Sequence, residues 1–155
     1  MGSGKTVVGA LVAERAHARF IDLDLMIENE VAMAISDFFA TRGESAFREV
    51  ESRVLPGTLQ PDAVVALGGG TTIDDRNWEL VRSRAVTVFL DTSFESIWQR
   101  IGGSRNRPLV ASRTRDEVEA LLESRRARYE AAAHRVDADG TPDVVAGEVL
   151  KLWSG

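Results

Sequence analysis

Cysteine is absent from the 155 residues, so neither a disulfide nor a thiolate metal site can form. That fits a reducing compartment, and the expected setting is the cytoplasm. Only two histidines occur, His17 and His134. Neither has the partner spacing of a metal site, and both are expected at helix ends as structural residues. No apolar run approaches 18 residues and no signal-like segment is recognisable, so nothing predicts a membrane span. An excess of basic charge is missing too: 19 Lys and Arg against 24 Asp and Glu leave a net charge of −5. A phosphate backbone needs a basic surface, so sequence-independent nucleic-acid binding is excluded as the expected function. A local arginine cluster for a small anion is not. Without a repeat, linker or low-complexity tract, the chain is expected to be one monomeric domain over residues 1–155. Its length suffices for a sizeable core.

What is present begins with GSGKT, Gly2 to Thr6. This is the back end of a G-x-x-x-x-G-K-[ST] phosphate loop, whose first glycine would fall two residues ahead of Met1. Glycines let successive N–H groups turn inward around a phosphate, Lys5 reaches its outer oxygens, and the Thr6 hydroxyl can ligate Mg²⁺. A helix starting near Lys5 adds its positive dipole end. Five residues are too few to carry a function, and a flexible N-terminus is the competing reading.

Apolar periodicity alternates between helix and strand along the chain. Helices are expected at about 6–18, 25–31, 35–41, 44–55, 74–83, 94–101, 115–133 and 142–152, with Pro56 and Gly57 ending the fourth. Strands are expected at Phe20 and Ile21, at 63–67 (AVVAL), at 85–90 (AVTVFL) and near Arg135 and Val136. The two unbroken apolar runs read as strands buried on both faces of a parallel sheet. The expected class is α/β, helices layered on that sheet. Trp78, Trp98 and Trp153 fit helix faces at the core or its rim rather than nucleobase platforms.

Polar residues collect just past the strand ends, where such folds place their chemistry. Asp22 and Asp24 follow the first strand, Gly68 to Gly70 the second, and Asp91 the third. If extended backbone persists, both aspartates face one cleft, one holding Mg²⁺ and its neighbour taking a hydroxyl proton. Alternatively they are strand-end and capping residues, Asp24 serving a helix from Leu25. Arg48 and Glu51 share a helix face. Arg48 is either a solvated charge or a guanidinium fork on a substrate carboxylate, held by Glu51. Three glycines in a row mark backbone that approaches something closely or adopts positive φ. The polar segment around Arg105 to Leu109 is either a surface loop or a lid delivering a cation.

In this order the pieces resemble the shikimate kinase family: GSGKT, FIDLDLMIE from Phe20 to Glu28, and Phe39 followed by GESAFRE from Gly43 to Glu49. LGGG from Leu67 to Gly70, RPL from Arg107 to Leu109, and Arg125 four residues before Tyr129 complete the match. The resemblance covers nearly the whole chain. It implies a three-layer P-loop kinase fold like that of nucleoside monophosphate kinases, with sheet order 2-3-1-4-5. It implies transfer of the ATP γ-phosphate to the 3-hydroxyl of shikimate, on the route to chorismate and aromatic amino acids. Gly2, Ser3, Gly4, Lys5, Thr6 and Val7 would cradle the nucleotide, with Arg100 near adenine. Thr6 and Asp22 would serve Mg²⁺, and Asp24 would bind the acceptor hydroxyls and act as base. Arg48 and Arg125 would clamp the carboxylate, with Glu51 holding Arg48, Gly69 and Gly70 offering N–H groups, and Phe39 and Phe47 walling the pocket. The substrate-binding helices would span about 24–57, and Arg107 would swing in from a lid at about 102–114. Residues 139–142 match poorly, so no adenine contact is assigned there.

One departure stands at the front: the family begins with an apolar strand and a first loop glycine that this sequence does not show. By the implied order that strand is central, so two neighbours are expected to be unpaired beside an open apolar slot. The lost burial, at roughly 1.5–3 kcal/mol per aliphatic side chain, rivals a domain's total stability of about 5–15 kcal/mol. Met1 is read as an internal methionine of the loop. Two rival functions stay open: a same-fold kinase for another acceptor such as a sugar acid, and a nucleotide-binding protein without turnover.

Overall fold

The computed structural model describes residues 2–101 and 113–153. Within them the chain runs α1 (Lys5–Arg15), β1 (Arg19–Asp22), α2 (Leu23–Val31), α3 (Ile35–Thr58) and β2 (Ala63–Ala66). A 3₁₀ turn (Thr71–Ile73) follows, then α4 (Asp75–Arg84), β3 (Val88–Asp91), α5 (Phe94–Ile101), α6 (Arg115–Glu130), β4 (His134–Asp137) and α7 (Pro142–Leu150).

All ladders are parallel, and they form two pairs: β1 with β2, in register from Arg19–Ala63 to Asp22–Ala66, and β3 with β4, from Val88–His134 to Asp91–Asp137. Among the described residues no ladder joins the pairs. The ladders therefore establish an α/β fold with parallel strands, and not the five-place strand order expected from the sequence. A cavity of about 340 Å³ lies between β2 and β3, with Val8 and Val12 of α1, Val64 and Phe89 on its walls. Consequently Val64, Val65, Val88 and Phe89 are only half-buried, where the apolar runs predicted burial on both faces.

Two apolar clusters hold the layers. Val8 and Val12 of α1 pack on Leu90, Val136 and Val145, which locks the phosphate-loop helix to β3, β4 and α7. Leu23, Ile27, Phe47, Val50 and Leu55 bind α2 to α3. Ile97, Ile101 and Val118 join α5 to α6 in a smaller cluster.

Some element ends differ from expectation for local reasons. The helices expected on either side of Gly43 follow one another without a loop, the backbone breaking only there (φ 79°, ψ 172°). Pro56 does not end α3: fully buried Leu55 and Thr58 hold its last turn, tied by Thr58 Oγ1 donating to the Leu55 carbonyl at 2.8 Å. The third strand starts at Val88 rather than Ala85, which terminates α4 as its C-cap. His134 opens β4 instead of ending a helix, and His17 follows α1 in the left-handed region (φ 52°). No helix among the described residues is long and apolar enough to cross a membrane.

Candidate active site

The loop from Gly2 to Gly4 turns through positive φ at both glycines (71° and 88°), which side chains rarely adopt. α1 then starts at Lys5 with no side-chain cap, whereas α2, α4 and α6 are capped by Asp22, Asp74 and Thr114. A helix N-terminus without a side-chain cap suits an anion. Lys5 Nζ donates to Ser3 Oγ at 3.4 Å, folding the ammonium back over the loop. Arg100 donates to the Gly2 carbonyl at 3.2 Å and so stands beside the same loop, at the end of α5.

Asp22 ends β1 and does two jobs. Its Oδ1 caps α2 by accepting from the amides of Asp24 (3.0 Å) and Leu25 (3.4 Å), and its Oδ2 accepts from Thr6 Oγ1 at 2.8 Å. This corrects the sequence expectation twice. The cap is Asp22 and not Asp24, and extended backbone stops at Asp22. Asp24 reaches the cleft from the first turn of α2. Its carboxylate is open to the cleft but enclosed by the walls. That desolvation, then the Asp22 charge, raises its pKa above the ordinary carboxylate value, with Glu51 and Glu28 adding and Lys5 opposing.

On the far side, Arg48 Nη1 donates to Glu51 Oε2 at 2.7 Å and Nη2 to Glu44 Oε1 at 3.1 Å. Burial works against the guanidinium's charge, but the two glutamates outweigh it and Arg48 is held more firmly protonated than usual. Glu51 is 1% exposed, and its other oxygen accepts from Thr71 Oγ1 at 2.6 Å. Gly68 and Gly70 are explained by close approach rather than by backbone angle. A Cβ on Gly68 would stand about 3.0–3.1 Å from oxygens of Thr71, Asp24 and Glu51, and one on Gly70 at 2.4 Å from Arg48 Nη2. Arg125, from α6, donates to the Gly69 carbonyl at 3.3 Å.

A cavity of about 710 Å³ joins these parts. Gly2, Gly4, Lys5, Thr6, Val7, Asp22 and Arg100 form one end. Asp24, Arg48, Glu51, Gly69, Gly70 and Arg125 form the other, with Phe39 and Phe47 as its aromatic wall, their ring centroids 4.8 Å apart. Ser3 borders the neighbouring cavity between the strand pairs instead. Asp91 is drawn away from the site, paired with Arg135 and, at 3.6 Å, with Arg126. Arg107 and most of the expected lid lie outside the described residues. Sequence reasoning missed Glu44, Thr71 and Glu28, whose Oε1 accepts from the Ile35 amide at 2.9 Å and ties α2 to α3. Glu44, four residues before Arg48, was legible as an ion-pair spacing. Thr71 carried no signal.

The donor set suits Mg²⁺ carried on phosphate. Thr6 and Asp22 offer adjacent hard oxygens, and among the described residues no cluster of three or more His, Asp or Glu forms an all-protein cage. Mg²⁺ commonly takes one or two protein oxygens and completes its shell with substrate phosphate and water.

A family model described as shikimate kinase matches residues 1–153. The curated shikimate kinase of Persephonella marina is 37% identical over 152 residues, 97% of this chain and 92% of that protein. That of Salinibacter ruber is 37% identical over 163 residues, 98% of this chain and 80% of that one. Among solved structures, shikimate kinase from Acinetobacter baumannii in complex with shikimate superposes with a TM-score of 0.94. It is 33% identical, covering 98% of this chain and 87% of that one. Shikimate kinase from Aquifex aeolicus gives 0.86 at 33% identity, covering 97% and 90%. With a family match over nearly every residue and relatives this similar along their length, the chain belongs to the shikimate kinase family.

Proposed function

We infer that this chain transfers the γ-phosphoryl group of ATP to the 3-hydroxyl of shikimate, giving shikimate 3-phosphate and ADP. Membership of the family makes it an ATP-dependent kinase. The substrate reading rests on one observation: Arg48 and Arg125 come from different helices yet touch the adjacent glycines Gly70 and Gly69. They share a cavity with the phosphate loop. Two guanidinium groups beside the Gly69 and Gly70 backbone suit a carboxylate, and an aromatic wall suits a carbocyclic ring.

Phosphoryl transfer asks the protein for positioning and charge rather than covalent chemistry. In this reading the uncapped α1 amides and the Gly2–Thr6 loop hold the nucleotide phosphates, flanked by Val7 and Arg100. Lys5 neutralises charge on the group being transferred. Thr6 and Asp22 would hold Mg²⁺, which would supply positive charge to offset that of the phosphates. Asp24, its proton affinity raised by the enclosed cleft, receives or shares the acceptor hydroxyl proton. Arg107 completes the charge clamp from the expected lid. The enzyme is read as a cytoplasmic monomer serving chorismate and aromatic amino-acid synthesis.

The test is ADP release in a coupled assay with shikimate, with an analogue lacking its carboxylate, and with sugar acids. Turnover is expected with shikimate, at far lower kcat/KM with the analogue. Turnover with sugar acids alone, or ATP binding without turnover, would overturn the reading.

A further inference from the structure

The Gly69 carbonyl accepts two hydrogen bonds, from Arg125 Nη1 at 3.3 Å and from the Tyr129 hydroxyl. The two donors are four residues apart and so lie on one face of α6. Tyr129 makes much the shorter bond. Its hydroxyl, half-buried, has its pKa raised by desolvation, with Arg125 opposing, so it stays protonated and donates.

Peptide geometry converts this contact into an orientation. No cis peptide occurs among the described residues. In a planar trans peptide the carbonyl of one residue and the N–H of the next point in opposite directions. Pinning the Gly69 oxygen to α6 therefore turns the Gly70 N–H away from α6. On Gly70 itself a Cβ would strike Arg48 from 2.4 Å, so the guanidinium lies directly against this residue. Gly70 is buried, and its N–H donates no hydrogen bond among the described residues. Gly70 lines the cavity, so this buried amide is placed to donate to a ligand oxygen.

We propose that Tyr129 is a positioning residue of the acceptor site: by holding the Gly69 carbonyl on α6 it aims the Gly70 N–H at the acceptor's carboxylate beside Arg48. It has a second effect. With the carbonyl already anchored, Arg125 can leave its long bond to Gly69 and fork the carboxylate without releasing the loop. This rests on the substrate reading above and adds to it a residue that does not itself touch substrate.

The experiment is Tyr129→Phe, which keeps the ring packed on Phe89 (centroids 5.6 Å apart) and removes only the hydroxyl. Shikimate binding is measured by calorimetry and by steady-state KM, alongside KM for ATP. The Kd and KM for shikimate should rise about three- to tenfold, the size of one net hydrogen bond, while KM for ATP stays put. The carboxylate-free analogue should bind wild type and variant equally. In ¹⁵N spectra, shikimate should shift the Gly70 amide proton downfield in wild type and much less in the variant. Equal shikimate affinity in both proteins, or an equal loss for ATP or for the analogue, overturns the role of Tyr129 alone. A wild-type protein that does not bind shikimate overturns the substrate reading itself.

Discussion

Glu51 lies beneath Arg48, its carboxylate buried to 1% exposure and 2.7 Å from the guanidinium it orients. The pair spans core and cleft, since Arg48 keeps 27% of its side-chain surface. Removing the buried member leaves Thr71 without its acceptor and Arg48 with only the more exposed Glu44 as a partner. Glu51→Ala should therefore destabilise the fold by about 2–4 kcal/mol, toward the lower end for broken buried pairs because Arg48 reaches solvent. A denaturant melt checks this; a loss below 1 kcal/mol would show that the pair is not structural. Arg48→Lys should leave the fold intact and raise KM for shikimate tenfold or more with KM for ATP unchanged, because an ammonium cannot reproduce the fork. An equal rise in both constants would remove Arg48 from acceptor binding.

Asp24 gives a prediction in two directions. Its folded pKa is raised, so the folded state binds its proton more tightly than the unfolded chain does. Stability from this group is then present below the unfolded value and is lost as pH rises through the window between the two. Asp24→Asn should accordingly raise Tm slightly at pH 7 while lowering kcat, with ATP binding retained. The gain is small because the carboxylate opens to the cleft. The acid limb of wild-type kcat/KM should lie above the ordinary carboxylate range. Unchanged turnover in Asp24→Asn would dismiss it as the base.

Asp22 separates capping from metal affinity. Asparagine caps a helix about as well as aspartate, so Asp22→Asn should keep α2 and change Tm little. It removes the charge beside Thr6. The Mg²⁺ concentration for half-maximal rate should rise several-fold, and titration of activity against Mg²⁺ reads it directly. An unchanged requirement, with Tm lowered, would assign Asp22 to capping only.

Thr92 reports on the cleft between the strand pairs. It lines that cavity and, among the described residues, its buried Oγ1 has no hydrogen-bond partner. Thr92→Val replaces an unsatisfied oxygen with a methyl group of similar size, which should stabilise this chain by about 1 kcal/mol. For a domain of this length that is roughly 2–4 °C in a thermal melt. A fall in Tm instead would mean that the hydroxyl has a partner in solution, as an extended segment laid between β2 and β3 would provide.

Much of the molecule follows from local sequence. The glycines around Ser3, the apolar stripe of α1, the β-branched runs and the capping residues act over a few positions, and the elements formed where those signals stand. The Glu44–Arg48–Glu51 face was equally local, because helical spacing places those charges together. What the resemblance added was roles for those residues, and the structure gathers the described ones around two adjoining cavities.

The rest needed tertiary structure because the partners are remote in sequence. Thr71 joined the Arg48–Glu51 pair only when α3 brought Glu51 to its hydroxyl, 20 positions away. Tyr129 reached Gly69 across 60 positions, and Asp91 was removed from the site by Arg135 across 44. Sequence alone determined which residue types line up at the strand ends and which segments are helix or strand. Only the packing of α6 and α3 against the glycine loop decided which oxygens and amides face the cleft. Orientation is a property of contacts, and contacts between distant positions leave no periodic trace in a single chain.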